Sequence, residues 1–155
     1  MSYRITGLDS APFIGLFEMD DTALTKQGAV RVIAAADKGW PCRISLEDAK
    51  AGEEVILLNH VSHDVATPYR SVYAIYVRNI ARKAAEYIDK IPPVFEGRPM
   101  AFRAFDKDGM LRNAALALPG EADTKIRELF ADQEIAYIHA HNAAYGCFSA
   151  MVERA

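Results

Sequence analysis

Turn signals punctuate this chain at intervals of roughly ten to fifteen residues, and the β-rich runs between them are short. That spacing constrains the fold more than any other feature. Short connections join antiparallel neighbours, because a parallel pair needs a crossover of a dozen or more residues. The sharpest signal is Asp106-Lys107-Asp108-Gly109, between Met100–Phe105 and Met110–Leu118. Asp and Gly tolerate the positive φ that tight hairpins require. A second hairpin is expected from Glu134–His141 and Cys147–Glu153.

The remaining runs fit the same scheme. Tyr3–Leu8 and Ala29–Ala35 read as strands, and Cys42-Arg43-Ile44 as a short extended piece. Glu54–Val61 is apolar on both faces, which places it inside a sheet, and Val72–Arg78 is a further β-rich run. Asp20 or Asp21 caps a helix through Lys26 with Gly28 as its stop. Leu46–Ala51 reads as one helical turn ended by Gly52. Asn79 is expected to cap a helix through about Ile88, on the spacing of Ile80, Ala81, Ala84, Ala85 and Ile88. A last helix over Glu121–Ala131 carries Ala122, Ile126, Leu129 and Phe130 on one stripe. The sum is an α+β fold: a largely antiparallel sheet of seven to eight short strands, free to curl, with about three short helices on one side. The 155 residues fit one domain, residues 1–155, and can bury a core without staples.

Composition narrows the function classes. The net charge of −3, with both signs interspersed, lacks the basic stripe of a nucleic-acid binder. No run approaches a membrane span and no secretory h-region opens the chain, so no membrane partner is expected and the expected location is the cytoplasm. Cysteines there are mostly reduced, and Cys42 and Cys147 match no CxxC spacing. Phosphate-binding glycine loops, a GxSxG elbow and HExxH are all missing.

Chemistry-bearing residues gather in Tyr137-Ile138-His139-Ala140-His141-Asn142-Ala143-Ala144-Tyr145-Gly146-Cys147. On a strand, Tyr137, His139 and His141 share one face. Three readings arise. His139 and His141 can serve as metal ligands for zinc or iron, which need about three protein donors at roughly 2.0–2.3 Å; His60, His63, Cys42 or Cys147 would supply the third. The absence of any cofactor is the favoured alternative. In the second, Cys147 is a nucleophile with His139 or His141 as base, and Cys42 beside Arg43 is a second thiol in a cationic setting. In the third, Arg43, Arg78 and Arg103 hold an anion, since an arginine buried in a β-rich run must be paired. Against each stands a plain role. Histidines hydrogen-bond in cores, cysteines pack as small apolar groups, and Asp48, Asp64 and Asp106 are at hand to neutralise the arginines.

Several segments together resemble a known family. They are Trp40-Pro41-Cys42-Arg43, Gly52-Glu53-Glu54-Val55-Ile56-Leu57-Leu58, Thr67-Pro68-Tyr69-Arg70, Ile75-Tyr76-Val77-Arg78, Arg103-Ala104-Phe105-Asp106 and His139 to Cys147. The set resembles the small bacterial proteins grouped as domain of unknown function 1203. Tyr73-Ala74 stands where that pattern has Gly-Pro. The resemblance implies a soluble bacterial single-domain protein and brings no activity with it.

The expectation from the residues is a small-molecule pocket, its ligand unknown and of anionic type. Tyr137, His139 and His141 form a wall and Asn142 the rim, with Cys42, Arg43, Arg78 and Cys147 approaching from neighbouring segments. The alternative is a non-enzymatic binding or structural module, homodimeric through a free β edge, in which His and Cys only pack.

Overall fold

The structure is a computed structural model and describes residues 1–155. Nine strands form two antiparallel sheets, accompanied by three α-helices. The strands are β1 (Tyr3–Thr6), β2 (Val30–Ile33), β3 (Glu54–His63), β4 (Ser71–Arg78), β5 (Glu86–Ile88), β6 (Met100–Phe105), β7 (Leu111–Ala117), β8 (Tyr137–Asn142) and β9 (Phe148–Arg154). The helices are α1 (Ala11–Ile14), α2 (Asp21–Lys26) and α3 (Ala122–Phe130). None is long and apolar enough to cross a membrane. The larger sheet runs β5-β1-β9-β8-β6-β7, and the smaller runs β2-β3-β4.

The α+β class with antiparallel pairing is as the turn spacing predicts, but the strands divide between two sheets. The two-sided strand β3 is central in the smaller sheet, and both hairpins form in the expected places. Helix α3 buries Ala122, Ile126, Leu129 and Phe130, the stripe read from the sequence. Asp20 caps α2, its carboxylate accepting from the Ala23 amide.

Residues 79–85 are not helical. Ala85 donates its amide to the Ile44 carbonyl at 2.8 Å and accepts from Gly7 at 2.9 Å, and 86–88 continue as β5 beside β1. The apolar pattern there is mostly alanine, and Ile80 is exposed. Such a face offers too little burial to offset helix nucleation, so the tertiary ladder prevails. Leu46–Ala51 is likewise a loop, closed by the bridge Pro41↔Asp48, with Leu46 buried at φ 53°. The short helix α1, opened by Pro12, carries little periodicity and escapes sequence reading.

One face of the larger sheet packs Tyr3, Ile5, Phe102, Ala104, Ile138, Ala140, Ala150 and Val152 against α3. Strict alternation on β8 then turns Tyr137, His139 and His141 the other way, toward the smaller sheet. A second core lies under the smaller sheet and includes Phe13, Cys42, Ile44, Ile56, Ile75 and Val77.

Gly7 is where the N-terminal strand meets the site-bearing loop. Leu8 donates to the Arg43 carbonyl at 2.7 Å, and a Cβ at Gly7 would stand 2.1 Å from the Ile44 oxygen. Only glycine permits that approach. Gly7→Ala is expected to cost about 2–3 kcal/mol, the range of overpacking against a partner that cannot yield. Urea unfolding measures it, and a loss below about 0.5 kcal/mol, the scatter of neutral surface changes, would refute it.

Candidate functional site

The bulged hairpin β8–β9 builds the site. Asn142 ends β8, Gly146 takes φ 78°, and Cys147 precedes β9. Gly146 donates to the Asn142 carbonyl at 2.7 Å, and Asn142 donates to that of Cys147 at 3.0 Å. The turn is tied a third time by the His141 Nδ1, 2.9 Å from the Gly146 oxygen. A carbonyl can only accept, so Nδ1 carries the proton and Nε2 is a bare acceptor.

Beside this turn, between the two sheets, lies a cleft of about 560 Å³. Arg43, Asn142 and Cys147 line it, with Tyr73 and Tyr76 from β4 and Arg98 from the loop before β6. Tyr145 stands 92% exposed beside it. Arg98 is neutralised by a bidentate pair with Asp48, at 2.7 and 2.9 Å.

Arg43 is different. It is 2% exposed and has no carboxylate partner. Its Nε donates to the Phe148 carbonyl at 2.8 Å and one terminal nitrogen to the Pro41 carbonyl. The other terminal nitrogen donates to Cys147 Sγ at 3.0 Å. Burial pulls this guanidinium below its usual range, and the sulfurs of Cys147 and Cys42 oppose that pull. Asn142 Nδ2 supplies a second donor to Cys147 Sγ at 3.4 Å, while Asn142 Oδ1 is buried without a partner. The sulfur is only partly covered and faces the cleft.

Three of the four imidazoles converge on one another, and none hydrogen-bonds a sulfur. The ring centroids of His63 and His139 lie 4.9 Å apart, and those of His139 and His141 6.5 Å apart. Phe105, Tyr137 and Phe148 enclose His139. Burial, then the proximity of other groups that would carry like charge, His63, His141 and Arg103, pushes His139 down to about 3. Burial also dominates at His141; the Gly146 bond works against it, Arg103, Arg43 and His63 add to it, and the value falls to about 4. Both rings are therefore neutral, and both Nε2 atoms are buried without partners.

A metal does not fit this arrangement. His63 has both nitrogens engaged, with the Tyr69 carbonyl at 2.9 Å and the Tyr137 hydroxyl at 2.7 Å. No three His, Cys, Asp or Glu side chains gather so as to hold an ion.

Of the residues singled out by sequence, Arg43, Asn142 and Cys147 meet at the cleft. The others lie elsewhere. Cys42 is buried in the second core, bridged to Tyr76, its Sγ accepting from the Ile44 and Arg78 amides at 3.4 and 3.3 Å. Arg78 forks onto Glu53 at 2.8 and 2.9 Å and reaches Glu47 and Ser45. Burial works against the charged Arg78, but these partners outweigh it and hold the group raised. Tyr137 is spent on His63, and His60 meets the edge of Phe13. Arg103 reaches the Tyr73 hydroxyl at 3.3 Å. The acidic residues expected to neutralise these arginines pair elsewhere: Asp48 with Arg98, Asp64 with Arg70 and Asp106 with Arg112. Sequence reading overlooks Tyr73, Tyr76 and Arg98; the one signal for Arg98 is a cation set directly before Pro99 in a proline-bounded loop.

The family described as "Protein of unknown function (DUF1203)" matches residues 39–154, a span that holds the whole cleft. No curated protein and no solved structure gives a match. On the extent of that family match, three quarters of the sequence, the chain belongs to the DUF1203 family.

Proposed function

We propose that Cys147 is a nucleophilic thiol acting on a small molecule held in the cleft between the two sheets. The observation that carries this reading is Arg43. A guanidinium buried without a carboxylate must find electron density elsewhere, and one of its forks is spent on Cys147 Sγ at 3.0 Å. A cation and an amide donate to this one sulfur, the electropositive and partly exposed setting in which reactive cysteines are found. With Arg43 unmatched by a carboxylate on the lining and no Asp or Glu there, the cleft suits an anionic or strongly polarised ligand. A reduced working thiol suits a cytoplasmic setting. Neither histidine serves as base in this reading, since His141 Nδ1 is engaged and both Nε2 atoms are unpartnered.

Thiol titration tests it. One equivalent of a disulfide reagent should react quickly with the folded protein at neutral pH, and Cys147→Ser should abolish that phase. Cys42, fully buried, should react only after denaturation. Two thiols equally slow until the chain unfolds would end the proposal and leave a binding module whose cysteines only pack.

A further inference from the structure

We infer that the cleft takes up an extended peptide, which adds to the free edge of β4 as a fourth strand of the smaller sheet. This goes beyond the thiol reading, since it concerns how a ligand is held and stands whether or not Cys147 reacts. In an antiparallel strand the amide and carbonyl of one residue point to the same side, and successive residues point to opposite sides. Arg78 donates its amide away from β3, to Cys42 Sγ at 3.3 Å. The Tyr76 carbonyl points the same way and accepts from the Arg43 amide at 3.1 Å. Ala74 and Val72 share that parity, so their amides and carbonyls also face away from β3, and no loop or side chain meets them. The fold itself occupies one part of this margin: segment 41–43 lies along it in parallel, through the bridge Cys42↔Tyr76. Upstream of Pro41 the chain turns off toward Asp48 and Ala49, which leaves the stretch beside Val72 and Ala74 open.

The other sheet margins are protected against strand addition. Strands β2 and β5 run only four and three residues, and short edges resist pairing. On β7 the Asn113 side chain accepts from the Ala114 amide at 2.8 Å, and just beyond its end Glu121 accepts from the Leu118 amide at 2.9 Å. The open part of β4 lies instead at the wall of the cleft, with Ala144 and Tyr145 of the β8–β9 turn also on the lining. At about 560 Å³ that space is of the size that encloses a small ligand. It admits a few residues of a single extended chain, whereas the edge of a folded sheet is too bulky, which argues against pairing with β4 of a second copy. Side chains of an added strand alternate between two faces. One row would lie on Leu57, Ala74 and Tyr76, which share a face, and the other beside Tyr73. None of these carries a charge, so the fitting peptide has uncharged side chains. Its carbonyls are strongly polarised acceptors, in keeping with a lining that holds Arg43 and no acid. Main-chain bonds to Ala74 supply the affinity and the two faces the sequence preference.

The full-length protein is screened against an array of capped hexapeptides of uncharged residues, and the tightest binder is carried forward. Bound, it should slow hydrogen exchange of the Ala74 amide about ten-fold or more, as a new ladder bond does. Ester replacement of alternate peptide amides should weaken binding about ten-fold in one phase, the loss of main-chain bonds to β4, and leave it unchanged in the other. Ala74→Pro removes an amide that the β3 ladder does not use, a change edge strands tolerate, and should weaken binding to the same extent. Ala74→Thr keeps the amide and should bind as wild type does, as should Cys147→Ser. An array without a binder, or a binder equally indifferent to both ester phases, overturns the inference; a fast thiol would still leave the nucleophile standing. A dimer in solution whose Ala74 amide is protected without peptide overturns it too and assigns the edge to a second copy. The ester comparison on wild type decides the matter even if Ala74→Pro does not fold.

Discussion

Lowering the pH from 7.5 to 5 is expected to remove about 3–4 kcal/mol of folding stability through His139 and His141 alone. Both rings are buried and neutral, held down to about 3 and about 4 in the folded chain, against about 6.5 when unfolded. The unfolded state therefore binds protons that the folded state refuses. Stability is whole above pH 6.5 and falls by about 1.4 kcal/mol per imidazole per pH unit below it, until each folded value is reached. The groups facing His139 offer no relief. His63 from β3, Arg103 from β6 and His141 from its own strand bring positive charge or neutral rings, and Tyr137, Phe105 and Phe148 close the rest. Urea unfolding at stepped pH should give a slope of two protons or more between pH 6 and 5, since His60, also lowered by burial, adds to the two. In His139→Phe, which keeps an aromatic ring among those neighbours, the slope should drop by about one proton. An unfolding free energy flat from pH 7 to 5 would show that the imidazoles are not sealed as described.

Replacing Arg43 by Met should cost about 3–4 kcal/mol, because the carbonyls of Pro41 and Phe148 then lose their donor inside the protein and each such loss costs about 1–3 kcal/mol. The two acceptors belong to different parts of the chain, so the loop around Pro41 would also detach from the start of β9. A double-mutant cycle with Cys147→Ala isolates the contribution of the bond to sulfur. Cys147→Ala should destabilise the wild type by about 1–2 kcal/mol, because it leaves one terminal nitrogen of the buried Arg43 without its acceptor, and should be nearly silent beside Arg43→Met. A coupling energy near zero would mean that the sulfur does not hold the guanidinium.

The fold class was legible because its signals are local. Asp106–Gly109 announces a hairpin, and the Ala122, Ile126, Leu129, Phe130 stripe announces α3, whatever the rest of the chain does. Residues 79–88 were misread for the opposite reason. Their hydrogen-bond partners are Gly7, Ile44 and β1, remote in sequence, and no local pattern reveals them. The division into two sheets escaped for the same cause. At the site, period-two alternation correctly places His139 and His141 on one face. Which arginine lacks a carboxylate was beyond reach. Arg43 and Arg78 look alike in sequence, yet Glu53 neutralises one and Cys147 Sγ receives the other. That distinction depends on loop 41–49 and its left-handed Leu46, a conformation no propensity would assign to leucine.

The pairing Tyr3↔Arg154 sets side by side two segments that are remote in the sequence. Strand β1 lies second in the larger sheet, between β5 and β9. Its ladder to β9 cannot form before Phe148–Arg154 has been made, and loop closure over such a span is slow. The larger sheet is thus completed late, with one edge of β1 left unzipped until β9 arrives.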